Sequence, residues 1–162
     1  MPTVEGYSVW WRATHPDDIA VVERELADAD RAELQVSGLT LQNAVAAGMA
    51  IGGLTFTMLD YPADRRPMGL MGVAPIGSDF GAVWAVTTPA VRKHRVRFHR
   101  ISKQWIEWAH CLHPILGNVV WAGNLGHILW LQRLGFSFLA EHEINGALYY
   151  EFARVGPQCA TQ

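Results

Sequence analysis

The chain has 162 residues, half of them apolar and seven of them Trp, which describes one domain (residues 1–162) able to bury a proper core and excludes a disordered or linker-built protein. Thirteen Lys+Arg against fifteen Asp+Glu leave a net charge of −2, which argues against a nucleic-acid coat and confines any anion recognition to a local patch. Cys111 and Cys159 make no disulfide framework, the start lacks a signal-peptide pattern, and the longest apolar run (Ala44 to Leu54) is too short and glycine-rich to span a bilayer, so the expected location is the cytoplasm, with no membrane partner.

Tyr7 to Ala13 (YSVWWRA) is expected to be the opening strand. Thr14-His15-Pro16-Asp17 fits a helix start with Thr14 as N-cap; Ile19, Val22 and Leu26 line that helix's buried face, and Asp28-Ala29-Asp30 loosens its end. A second helix over Leu41 to Met49 stops at Gly52-Gly53. Thr55 to Leu59 and Met68 to Val73 form a hairpin around the turn Asp60 to Arg66, and Ala74 to Ser78 turns into a third strand, Ala82 to Val86. That strand is wholly apolar, as a central strand covered on both faces would be.

The stretch Val86 to Trp108 leads from this strand through a proline-marked turn and a basic loop into a helix. Phe98, Ile101, Trp105 and Trp108 make its apolar stripe. Six of the thirteen Lys+Arg fall between Arg92 and Lys103, where a helix start already favours an anion. The expectation is a phosphate-bearing polyanion docked here, against the plainer reading that a charged loop is a solvated face. After the break at His113-Pro114 come a short strand (Asn118 to Trp121) and a helix (Asn124 to Leu134) closed by Gly135. Phe136 to Ala140 and Ala147 to Phe152 follow as strands joined at Asn145-Gly146, and a flexible tail covers 155–162.

This element order resembles that of the GNAT superfamily of N-acetyltransferases. The wording agrees at Val9 to Thr14 with Pro16-Asp17-Asp18, at Asn124-x-x-His127 through Gly135-Phe136, and at Val86 to Arg100, which stands in the place of the family's acyl-CoA loop. Among relatives, the chain is most similar to short, divergent GNAT-like proteins of tailed phages, some of which are internal virion components. The resemblance implies an α+β, three-layer fold with a mixed, mostly antiparallel sheet of about six or seven strands flanked by about four helices. It also implies acetyl-CoA or another acyl-CoA as cofactor. Val86, Thr87 and Thr88 would then bind the pantetheine arm, Arg92, Lys93, His94, Arg95, Val96 and Arg97 would form the pyrophosphate loop, and Asn124 would help position the cofactor. Partners would be a small-molecule amine or a protein substrate, and a host or virion protein.

Two departures matter. The family's loop carries glycines where backbone must approach the pyrophosphate, and both positions are arginine here, Arg95 and Arg97. Either the arginines grip phosphate with their side chains, or their bulk closes the site. The family's acid, a tyrosine seven residues after the asparagine, is Leu131, which leaves His127, Tyr149 and Tyr150 as substitutes without a spacing argument. Catalysis of N-acyl transfer is thus one reading; a GNAT-fold protein without turnover, serving in a virion or docking on a host protein, is the second. Nucleic-acid contact through Arg92 to Lys103 is a weaker third. His110-Cys111-x-His113 lacks the second pair that zinc sites draw on, so no metal is expected. Most tryptophans read as core; one of Trp10 and Trp11 is left to face outward.

Overall fold

A computed structural model describes residues 10–157. Tyr7 to Val9, Cys159 and the tail from 158 onward lie outside the described residues, so the expectations placed on them go no further.

The elements are β1 (Trp11–Ala13), α1 (Pro16–Arg24), α2 (Asp28–Ser37), α3 (Leu41–Ala50), β2 (Leu54–Leu59), β3 (Pro67–Ile76), β4 (Phe80–Thr87), a 3₁₀ turn (Pro89–His94), α4 (Arg95–His110), β5 (Ile115–Trp121), α5 (Leu125–Arg133), β6 (Ser137–Ile144) and β7 (Ala147–Val155). One seven-stranded sheet runs β1-β2-β3-β4-β5-β7-β6, antiparallel except between β4 and β5. This is the expected mixed, mostly antiparallel α+β sheet, with five α-helices among the described residues rather than about four.

The fifth helix is α2. Asp28-Ala29-Asp30 does not fray α1; it opens a new helix whose first turn is acidic, as the dipole favours. The N-cap of α1 is His15, not Thr14: His15 Nδ1 accepts from Asp17 N–H, and Asp18 reaches back to His15 N–H at 2.8 Å. The Thr14 hydroxyl is drawn instead to Thr57, at 3.0 Å. β3 continues through Ala74 to Ile76 and turns at Gly77, whose φ of 72° suits glycine. Val155 is not tail but the last residue of β7, paired with Ile115. Asn145 and Gly146, both at positive φ, make the expected hairpin turn.

Helices cover both sheet faces. On one, Ile101, Trp105, Ile106 and Ala109 of α4 and Leu131 and Leu134 of α5 pack with Met71, Val83, Leu116, Val120 and Phe152. On the other, Val22, Leu26, Leu41 and Val45 pack on Leu70 and Val86, with Ile19 and Leu34 at the margin. Trp11 is buried among Phe56 and Trp108. Trp10 precedes β1 and does not face away from Trp11: it packs against the same core cluster, covered by Tyr61 and Arg97 rather than left for a partner.

Candidate functional site

β4 and β5 pair only where Phe80–Ala82 face Ile115–Gly117, then diverge. A Cβ at Gly117 would lie 2.4 Å from the Phe152 carbonyl oxygen, so the last paired position needs glycine. The next rung is made by a side chain: Asn118 Nδ2 donates to the Val83 carbonyl at 3.0 Å. Within a strand, one residue's N–H and C=O face the same neighbour and alternate along the chain. Val83, Ala85 and Thr87 therefore all face the gap. Thr87 is already engaged: its N–H and hydroxyl donate to Asp30 Oδ2 at 2.7 and 2.8 Å, and its carbonyl accepts from Ala27 N–H at 2.8 Å. Ala85 is left with its N–H and C=O toward the opening.

Two cavities adjoin this gap. One, of about 250 Å³, passes between β4 and β5 and is lined mainly by apolar side chains, with Glu33, His127 and Tyr149 on its wall. The other, of about 530 Å³, lies between the 3₁₀ turn, the start of α4 and α5, and carries Arg92, Arg95, His99 and Arg133. Asp30, His127 and Trp130 border both. The stacked rings of Phe98 and Trp130, 5.2 Å apart, stiffen the partition.

The partition rests on a buried polar cluster. Asp30, 3% exposed, lies with Oδ1 3.0 Å from His127 Nε2 and accepts Asn124 Nδ2 at 3.0 Å. Asn124 Nδ2 also donates to Glu33 at 2.7 Å, and Glu33 accepts Trp121 N–H at 3.0 Å. Burial by itself pushes the Asp30 carboxyl up, but bonds from His127, Asn124 and Thr87 outweigh it and hold it below its ordinary value. Burial likewise pushes His127 down, and Asp30 and Glu33 more than reverse it, so the imidazole is held above its ordinary value. The carboxylate's contribution is present above the unfolded value and lost as pH falls through the depressed one. The imidazolium's is complete below its unfolded value and lost as pH rises through the raised one. Urea stability should therefore be greatest between about pH 4 and pH 6.5, with the alkaline decline absent in His127→Gln.

Ligand atoms of Asp30, Glu33 and His127 lie within 4.8 Å of one another. A cation there would have to displace the Asn124 amide, which donates to both carboxylates, so the donor set suits the amide and not a metal.

The structure sorts the expected site residues. Arg92 and Arg95 face the larger cavity, with Thr87 and Thr88 at its wall. His94 and Arg97 do not: His94 Nε2 lies 2.8 Å from Asp60, and Arg97 donates to the Tyr61 carbonyl at 2.6 Å while lying 3.9 Å over the Trp10 ring. Lys93 and Val96 are exposed and border neither cavity. The reason is that the basic loop is helical from Pro89 onward, which spreads its side chains around an axis. Arg97→Ala is expected to cost about 1–2 kcal/mol in urea unfolding, while leaving the larger cavity's anion affinity unchanged. Thr88 is 2% exposed and donates to Met68, and Asn124, 1% exposed, spends both amide hydrogens on α2. Val86 packs into the core against α1 and α3 and also borders the chamber between the strands. Of the proposed acids, His127 and Tyr149 border the chamber between the strands, and burial followed by the Glu33 charge pushes Tyr149 up. Tyr150 packs edge-on against Phe138 and borders neither cavity.

Sequence reasoning missed Asp30, Glu33, His99 and Arg133. Counting helical spacing from Pro89 would have grouped Arg92, Arg95 and His99 on one face; the two acids carry no such signal.

A family model described as "Bacteriophage T7, probable scaffold protein Gp13" matches residues 69–143, from β3 into β6. No curated protein matches the chain. Among solved structures, a GNAT superfamily phosphinothricin acetyltransferase from Sinorhizobium meliloti in complex with AcCoA superposes with a TM-score of 0.70 at 11% identity, covering 94% of this chain and 91% of that one. Spermidine N-acetyltransferase from Vibrio cholerae in complex with CoA and spermine gives 0.66 at 10%, covering 90% and 94%. Ribosomal-protein-S5-alanine acetyltransferase from Vibrio fischeri gives 0.65 at 15%, covering 96% and 97%. No helix among the described residues is long and apolar enough to cross a membrane. The splayed β4–β5 pair and these superpositions together identify the fold as that of the GNAT acetyltransferases.

Proposed function

We propose that the protein is an acyl-CoA-dependent N-acyltransferase acting on an amine. The observation that carries this is an arginine-bearing cleft, at a helix start without a side-chain cap, lying directly beside an apolar gap between two splayed strands and sharing Asp30, His127 and Trp130 with it as a wall. Arg92, Arg95 and Arg133 would hold the phosphates, by side-chain forks in place of a glycine cradle. The N–H and C=O of Ala85, rather than those of Thr87, would meet the pantetheine amides. Bound acyl-CoA supplies an activated thioester. Tyr149, its hydroxyl kept protonated by burial and by Glu33, would be the proton donor at the chamber wall. His127 keeps Nε2 on Asp30 and stabilises negative charge from the partition.

Calorimetric titration of acetyl-CoA and CoA tests the reading. Micromolar binding is expected; none at millimolar ligand would overturn it.

A second reading is favoured by one observation: α2 occupies the Thr87 backbone with Ala27 and Asp30, where the family resemblance put the pantetheine arm. On this reading the fold is kept without turnover, for a role in a phage particle or on a host protein. The match to a phage scaffold family supports it. Failure of the titration, with co-purification in virions, would favour it.

A further inference from the structure

The chamber between β4 and β5 is larger than an acetyl group needs. Its volume is about 250 Å³, and its inner end is closed by Met71, Ile106, Leu131, Leu134 and Phe152, every one of them buried. Most acceptors on its wall are already spent, and the unpartnered indole N–H groups of Trp105 and Trp130 can only donate. Asn118 donates to Val83, Ser102 donates to the Phe98 carbonyl, and the carboxylates of Asp30 and Glu33 are turned to Asn124, Thr87 and Trp121. Nothing at the inner end would solvate an ammonium, so a polyamine of the kind bound to the Vibrio cholerae structure is a poor occupant. Native interiors seldom keep an apolar void of this size unfilled.

We propose that the chamber holds the acyl chain of a medium-chain acyl-CoA, so that the protein handles an acyl group longer than acetyl. A dry apolar cavity of about 150 Å³ already accepts a benzene-sized ligand, and on that scale the chamber, with the thioester end of the pantetheine arm also seated at Ala85, leaves room for a chain of about four to eight carbons. The proposal rests on the reading of the protein as CoA-dependent. The Ala85 N–H and C=O face the same gap, so the chain can continue inward from a thioester held there. Leu131 and Leu134 face the inner end, and a bulkier side chain at either would shorten the space.

The test is a titration series of acetyl-, butanoyl-, octanoyl- and hexadecanoyl-CoA into the whole protein, its Leu134→Phe variant, and Leu131→Phe should the first fold poorly. Each buried methylene is worth roughly a fourfold gain in affinity. Octanoyl-CoA should bind at least tenfold more tightly than acetyl-CoA, hexadecanoyl-CoA should gain nothing further, and the octanoyl-to-acetyl ratio should fall about tenfold in the filled variant. Acetyl-CoA binding without any gain on lengthening overturns the chain-length proposal and leaves the acyltransferase reading standing. A gain that the filled variants do not reduce places the chain elsewhere and overturns it too. If no CoA ester binds, the acyltransferase reading falls, and this proposal falls with it.

Discussion

Asp30→Ala should destabilise the protein by about 3–5 kcal/mol in urea unfolding, a large share of what a domain of this size possesses. The side chain is small, so little of the loss comes from packing. It comes from what is stranded: a buried imidazole held on the charged side by this carboxylate, the Thr87 N–H and hydroxyl, and one amide hydrogen of Asn124. His127→Ala alone should cost less, because Asp30 keeps three other donors. The double variant should cost less than the sum of the two, with a coupling of about 1–3 kcal/mol in the cycle. A loss for Asp30→Ala below about 1 kcal/mol would mean that the cluster does not hold α2 in place. The same variant has a second readout. If Asp30 competes with the pantetheine arm for Thr87, its removal should tighten acetyl-CoA binding in whatever protein remains folded.

That competition connects the fold to the choice between the two functional readings. An α/β gap that opens at splayed strands normally leaves backbone groups for a ligand. Here the chain supplies its own partners at Thr87, through Asp30 and Ala27, and at Val83, through Asn118. Only Ala85 between them is left facing the space. A cofactor could be accommodated with one fewer strand contact and more arginine contact, or by a shift of α2, which is tied to β4 and α5 by few but buried bonds.

Legibility in the sequence followed the range of the interactions. β4 was readable because an apolar run ending in Thr-Thr-Pro has few local alternatives. The β6–β7 turn was readable because Asn145 and Gly146 both need positive φ, and the α4 stripe because Ile101 and Trp105 keep helical period. α2 was not. Asp28 and Asp30 are ordinary turn residues by local chemistry, and the burial of Asp30 makes sense only with Thr87 and Asn124, 57 and 94 positions away. The basic stretch is legible as charge, but its local chemistry reads as a loop. Its helical winding from Pro89 is what sends Arg92 and Arg95 to the cleft and His94 and Arg97 to the β2–β3 turn. The fold class is legible because much of the sheet is built from local hairpins; the layout of the candidate site is not, because it is assembled from α2, β4, α4 and α5 at once.

Arg92→Glu with Arg95→Glu should lower acetyl-CoA affinity about 100-fold or more, whereas Arg97→Glu should leave it within about threefold. Both cleft arginines are exposed, so each bond to a phosphate is partly screened. Reversal nevertheless removes two charge-assisted contacts and sets two carboxylates against a polyanion at a helix start without a side-chain cap. The contrast with Arg97 carries the argument. All three lie within six positions of one another and contribute equally to net charge, so a general electrostatic attraction would respond alike to each. A loss for Arg97→Glu equal, per charge reversed, to that of the double variant would mean that the cleft is not the anion site. A loss confined to Arg92 and Arg95, with an affinity that declines only modestly with salt, would place the phosphates in the cleft and weigh against a nucleic-acid ligand, whose binding would fall steeply as salt rises.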